Sequence, residues 1–194
     1  MAWAEDSLSA AEQIAEVFES LGVRYLLGGS MAAAVWSEPR FTRDVDMVAE
    51  LTDRHVAPLL AALGERWYAD EVLIRGAIAR RSSFNVIRLE RMVKVDVFVP
   101  PDGGHHAAKW SRARAVRLAR DSKRTVATTS AEDMLLQKIV WFRDGGEVSE
   151  QQWRDVVALI RTLGEELDWD YLRSWAERLV LGELLERARR AAAG

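Results

Sequence analysis

The chain has no cysteine, which excludes disulfides and thiolate chemistry. It also has no run of about 18 apolar residues, so no stretch reads as a membrane span. The opening Met-Ala-Trp-Ala-Glu-Asp lacks the charged-then-apolar pattern of a secretory signal, and a cytoplasmic location is the expectation. A large excess of charge of one sign is missing as well. Lys and Arg number 27 against 30 Asp and Glu, a net charge of −3, so the chain as a whole is no generic nucleic-acid binder. An RNA partner would have to meet a local basic patch. Histidines number three, two of them adjacent at His105-His106. Neighbours on a strand point apart, and no further His or Cys stands nearby, so the pair reads as loop residues and not as metal ligands. What is present is ordinary for a globular protein: 194 residues, 49% hydrophobic and 29% charged, enough for one domain or a small domain with a helical extension.

The rest is organised around Leu26 to Met47. Val23 to Leu27 is an apolar strand. Gly28 and Gly29 permit a sharp turn and close approach of a ligand to the backbone. Ser30 opens a short helix through Trp36, whose free N–H groups form an anion site, and Pro39 ends it. Asp44-Val-Asp46-Met-Val then alternates as a strand does. Residues i and i+2 share a face, so the two carboxylates point together while Val45 and Met47 enter the core. Two such carboxylates repel unless a cation sits between them, and their oxygens suit Mg²⁺ held jointly with substrate phosphates. A lone Asp-x-Asp also occurs on solvated strand faces. It is the Gly-Gly-Ser turn upstream that gives this one its meaning.

Further along, Ser9 to Ser20 reads as an amphipathic helix closed by Gly22, and Thr52 to Leu63 as another. Glu71 to Ile78 and Phe84 to Leu89 are apolar runs expected to pair as strands. A tight hairpin at Glu90-Arg91 leads into the strand Met92–Val99, which carries Asp96. The arginines and lysines from Arg112 to Arg124 read as a solvated edge strand whose charges discourage aggregation, or else as a phosphate-attracting surface. From Ser130 the pattern turns helical, opened by Ser130-Ala-Glu-Asp133 at its start. Helices are expected to about Arg143, over Glu150–Leu163, Asp168–Leu179 and Glu183–Ala193. The eight tryptophans read as packing residues. Lys138 stands on the apolar side of its helix, where a lysine either snorkels outward or is held toward an anion. Asp155 interrupts an apolar face on the next helix.

Gly28-Gly29-Ser30 followed by Thr42-x-Asp44-x-Asp46 resembles the signature of the nucleotidyltransferase superfamily that includes DNA polymerase beta. The layout is similar to minimal bacterial nucleotidyltransferases, including AbiEii-type toxins. The resemblance implies an α/β (α+β) fold, a mixed sheet backed by helices. Residues 1–128 would form the catalytic core and 129–194 a helical C-terminal region. It implies that Asp44, Asp46 and Asp96 bind Mg²⁺ or Mn²⁺, and that Gly28, Gly29, Ser30 and Thr42 contact the NTP. It also implies roles for Lys138 and Asp155 toward the nucleotide, since the AbiEii-like relatives carry a lysine on one helix and an aspartate on the next. The activity implied is transfer of a nucleoside monophosphate from Mg-NTP to a hydroxyl of an RNA end, a protein or a small molecule. A toxin role beside a cognate antitoxin is a sub-hypothesis. The alternative is a non-catalytic nucleotide-binding or interaction module with the same fold.

Overall fold

In β2 (Val45–Ala49) every second residue is buried, and β5 (Val93–Phe98) repeats the pattern at Val93, Val95 and Val97. This period of two puts one strand face into the core and frees the other. The computed structural model describes residues 2–37 and 44–194, with side chains from Glu5 onward; Pro39 and Thr42 lie outside the described residues. Among those described, seven strands form one mixed sheet in the order β3-β4-β5-β2-β1-β7-β6. The remaining strands are β1 (Tyr25–Leu27), β3 (Trp67–Tyr68), β4 (Ser83–Arg88), β6 (Arg114–Val116) and β7 (Val126–Thr128). The pairs β2–β5 and β1–β7 are parallel and the rest antiparallel. Parallel neighbours need a long crossover, and the chain between β2 and β5 supplies it with α3 (Val56–Leu63), β3, α4 (Glu71–Arg80) and β4. The first helix, α1 (Ala2–Ser20), buries Ala10, Ala11, Ile14, Ala15 and Phe18, a stripe at helical spacing. The fold class is the expected one, a mixed sheet with helices.

Three local expectations fail. The run 71–78 is helix α4, not a strand. Asp70 caps it by accepting the Leu73 N–H at 3.0 Å, and Glu71 bridges to Arg75 one turn on. Only Ile74 and Ala77 are buried along it, a spacing of three, which is helical. His105 and His106 belong to helix α5 (Gly104–Ser111), not to a loop. Burial pushes the His106 imidazole down to about 4, so it packs there as a neutral ring. The turn after β4 is the four-residue Leu89–Met92, since Arg88 pairs with Val93, and Met92 closes it at φ 52°. The basic stretch contributes β6, the last strand of the sheet order, with Arg114 and Ala115 exposed.

The chain divides into two compact units, Met1–Met31 with Arg40–Thr129, and Ala32–Pro39 with Ser130–Gly194. The second contains α6 (Ala131–Asp144), α7 (Glu150–Leu163), α8 (Trp169–Arg178) and α9 (Gly182–Ala193). Three of these helices are opened by side-chain caps: Ser130, Ser149 and Asp168 accept the N–H groups of Asp133, Gln152 and Tyr171. Phe142 and Trp153 stack with ring centres 5.0 Å apart, and the Arg187 guanidinium lies 4.4 Å from the Trp153 ring centre. These tryptophan contacts are packing, as expected.

Helix α8 ends in a Schellman motif without the usual glycine. The Leu181 N–H reaches the Ala176 carbonyl at 2.7 Å and the Val180 N–H reaches Glu177 at 3.1 Å. Val180 is therefore held at φ 57° while 82% exposed. A β-branched residue there is strained by roughly 1–2 kcal/mol and buries little in return. Val180→Gly should stabilise the protein by about 0.5–1 kcal/mol, after allowance for glycine's greater freedom in the unfolded chain. A higher denaturant midpoint at unchanged slope is the expected reading.

Candidate active site

At the end of β1 the Gly28 N–H donates to the Asp46 carbonyl at 2.8 Å, which ties the glycine turn to β2. Gly29 follows at φ +59° and opens α2 (Gly29–Trp36). A Cβ on Gly29 would stand 1.8 Å from an Asp46 carboxylate oxygen and 2.6 Å from its Cγ. The position therefore demands glycine twice, for its backbone angle and for its missing side chain. The sequence suggests a ligand approaching this turn; the group packed over Gly29 is the chain's own Asp46 carboxylate.

Across the sheet, the parallel register sets Asp46 beside Asp96 and Val45 beside Val95. Carried back one residue, it sets Asp44 beside Lys94. Val45, Met47, Val95 and Val97 are buried on one face. Asp46 and Asp96 are half-buried, and Asp44 and Lys94 exposed, on the other. Strands lie about 4.8 Å apart, so three carboxylates crowd one small patch. Lys94 answers part of that charge. Its Nζ lies 2.7 Å from an Asp96 oxygen. Asp96 holds the ammonium above its ordinary range, with Asp44 and Asp46 adding to the pull. Lys94 escapes notice in the sequence, although Lys94-x-Asp96 obeys the same i, i+2 rule that pairs Asp44 with Asp46.

Among the described residues, no group of three or more His, Cys, Asp or Glu side chains forms a ready-made metal cage. A Mg²⁺ site does not require one, because Mg²⁺ is held by one or two carboxylates, waters and substrate phosphates. The donors here are hard oxygens on one strand face, already drawing a cation in the form of Lys94. They fit such an ion.

The other predicted residues fall elsewhere. Ser30 is half-buried in the first turn of α2. Thr42 lies outside the described residues. Lys138 and Asp155, on α6 and α7 of the second unit, are brought together: Lys138 Nζ lies 2.7 Å from Asp155 Oδ2 and 3.2 Å from the side-chain oxygen Oε1 of Gln152. The lysine is 1% exposed and stands 6.0 Å from the Trp141 ring centre.

No family model and no curated protein matches the chain. Solved structures do. The antibiotic-resistance factor ANT(2'')-Ia in solution is similar at 12% identity and TM-score 0.59, over 95% of this chain and 98% of its own. ANT(2'')-Ia in complex with adenylyl-2''-tobramycin is similar at 13% identity and TM-score 0.56, over 89% and 98%. An antigenic nucleotidyltransferase-like protein from Paracoccidioides brasiliensis is similar at 18% identity and TM-score 0.51, over 97% and 94%. The fold is the nucleotidyltransferase fold. Within it, the Gly28–Ser30 turn and the Asp44–Asp46 strand are neighbours through the Gly28–Asp46 hydrogen bond, and β5 brings Asp96 alongside.

Two substitutions test this packing. Gly22 also has positive φ, but open space where a Cβ would go. Gly22→Ala should cost about 1–2 kcal/mol of backbone strain. Gly29→Ala carries the same strain and must also displace Asp46, so chemical denaturation should find it less stable by at least a further ~1 kcal/mol. Equal losses would mean that the carboxylate does not lie over Gly29. In the second unit, Lys138→Met should cost about 2 kcal/mol by removing the buried ammonium that faces Asp155, and adding Asp155→Leu should recover part of the loss.

Proposed function

We propose that this chain is a metal-dependent nucleotidyltransferase, moving a nucleoside monophosphate from an NTP to an acceptor hydroxyl with release of pyrophosphate. The observation that carries the reading is the register placing Asp46 beside Asp96, with Asp44 two residues away and the glycine turn hydrogen-bonded to the same strand. Asp44, Asp46 and Asp96 would hold Mg²⁺ or Mn²⁺, which supplies charge neutralisation for the triphosphate when bound. The backbone N–H groups of the Gly28–Ser30 turn, at the start of α2, and the Ser30 hydroxyl are suited to the β- and γ-phosphates. Asp96 would take the acceptor hydroxyl's proton. The acceptor oxygen then bonds to the α-phosphorus, and the bond from that phosphorus to the leaving oxygen breaks, its electron pair going to pyrophosphate.

The part before about residue 128 is the catalytic core in this reading, and the helices after it a supporting region. Lys138 is assigned to the nucleotide on its place on the apolar side of its helix and on the AbiEii likeness, Asp155 on the AbiEii likeness, and Thr42 on the Thr42-x-Asp44-x-Asp46 signature of the superfamily; the Lys138–Asp155 ion pair is equally what a structural pair would make. The acceptor is best sought first among small molecules, because the ANT(2'')-Ia complex contains an adenylylated tobramycin and this chain's net charge of −3 gives no general pull on RNA. RNA ends, as for a toxin kept with an antitoxin, come second. A cytoplasmic location goes with an NTP substrate.

The test is label transfer from each α-labelled NTP, with Mg²⁺, into small-molecule, RNA and protein fractions. Asp44→Asn and Asp46→Asn should each lower transfer by about 10²-fold or more, while the far-ultraviolet dichroism stays that of the parent. A thermal shift that needs NTP and Mg²⁺ together should accompany activity. A shift with NTP alone and no transfer would favour the non-catalytic module.

A further inference from the structure

On one sheet face, Asp46 of β2 stands beside Asp96 of β5, and the register carried back one residue sets Asp44, just before β2, beside Lys94, so the four make the corners of a rectangle. Three corners are carboxylates and one is an ammonium. Lys94 reaches Asp96 at 2.7 Å, yet its side chain is 46% exposed. A lysine so exposed keeps most of its rotamer freedom. It contrasts with Lys138, 1% exposed and locked between two helices. We propose that Lys94 is an internal counter-ion of the carboxylate cluster, occupying the cation's place beside Asp96 and competing with a divalent metal for it.

This inference rests on the metal-binding reading of Asp44, Asp46 and Asp96. Its logic is electrostatic. Without a metal, the cluster carries three negative charges, and Lys94 removes one. A divalent cation arriving among the same carboxylates meets a positive charge a few ångströms away. In a water-like dielectric, a unit charge about 6 Å from a dication opposes binding by roughly tenfold, and less as salt rises. The released ammonium needs a new anionic neighbour. Triphosphate oxygens supply one, whereas a bare metal ion does not. Lys94 thus biases the site toward metal that arrives with nucleotide and against free metal. It acts through the metal-binding carboxylates and is a positioning residue.

The experiment measures Mn²⁺ binding by electron paramagnetic resonance, without nucleotide, on the full chain and on Lys94→Met, Lys94→Gln, Lys94→Arg and Asp46→Asn. Lys94→Met and Lys94→Gln should bind Mn²⁺ about three- to tenfold more tightly than the parent at low salt, with the gain shrinking at high salt. Lys94→Arg should stay near the parent. Melts in EDTA should show the two neutral variants less stable than the parent, and Mn²⁺ should restore them. Parent-like affinity in both neutral variants would overturn the counter-ion role. Binding that Asp46→Asn abolishes would still uphold the metal site in that event. No Mn²⁺ binding by the parent or by any Lys94 variant would overturn the metal reading and the counter-ion with it.

Discussion

The constraint on which this molecule turns is the crowding of like charge on one face of a sheet. Asp44, Asp46 and Asp96 share that face because β2 and β5 run parallel in a fixed register, and the register is fixed from the other side. Val45, Met47, Val95 and Val97 are buried beneath. A slip of one residue along either strand would expose its valines and bury its carboxylates. The hydrophobic face is thus what compels the carboxylates to stay together, and the core supplies the free energy that their repulsion costs.

From that constraint the glycine turn follows. Asp46 can remain half-buried beside Asp96 only if nothing fills the space above it, and the chain passes Gly29 through that space with no side chain. The same turn, anchored by Gly28 to the Asp46 carbonyl, starts a helix whose first N–H groups are free of helical partners. One local geometry therefore serves two ends. It gives the carboxylate room, and in the proposed reading its donors face the phosphates of the nucleotide.

How much of this can be read from sequence depends on the range of the interaction. Asp44 with Asp46 is legible because i and i+2 on a strand need no tertiary information. The glycine turn and the helical caps at Ser130, Ser149 and Asp168 are legible for the same reason. The pairing of Asp46 with Asp96 is not, since it depends on a crossover of some forty residues that contains α4, misread as a strand. There the apolar count of Val72, Leu73, Ile74 and Ile78 outweighed the period, while the cap at Asp70 and the Glu71–Arg75 bridge carried the helical signal. The Lys138–Asp155 pair shows the same limit. Each residue could be marked as odd on its helix, but that the two oddities satisfy each other depends on how α6 and α7 pack.

The two lysines then separate by burial and by what each could do when a ligand comes. Lys138 is enclosed, and its charge is tolerable only with Asp155 and Gln152 around it. Moving it would part a buried ammonium from the Asp155 carboxylate beside it, so its pair resists change. Lys94 lies on an exposed strand face with three carboxylates in reach, and an ion pair so open to water is worth about 1 kcal/mol or less. A divalent cation can outbid that, but not without loss. In the metal-binding reading proposed above, the site does not need to exclude free metal by shape. It needs one weakly held positive charge where the metal would go, and Lys94-x-Asp96 places one there.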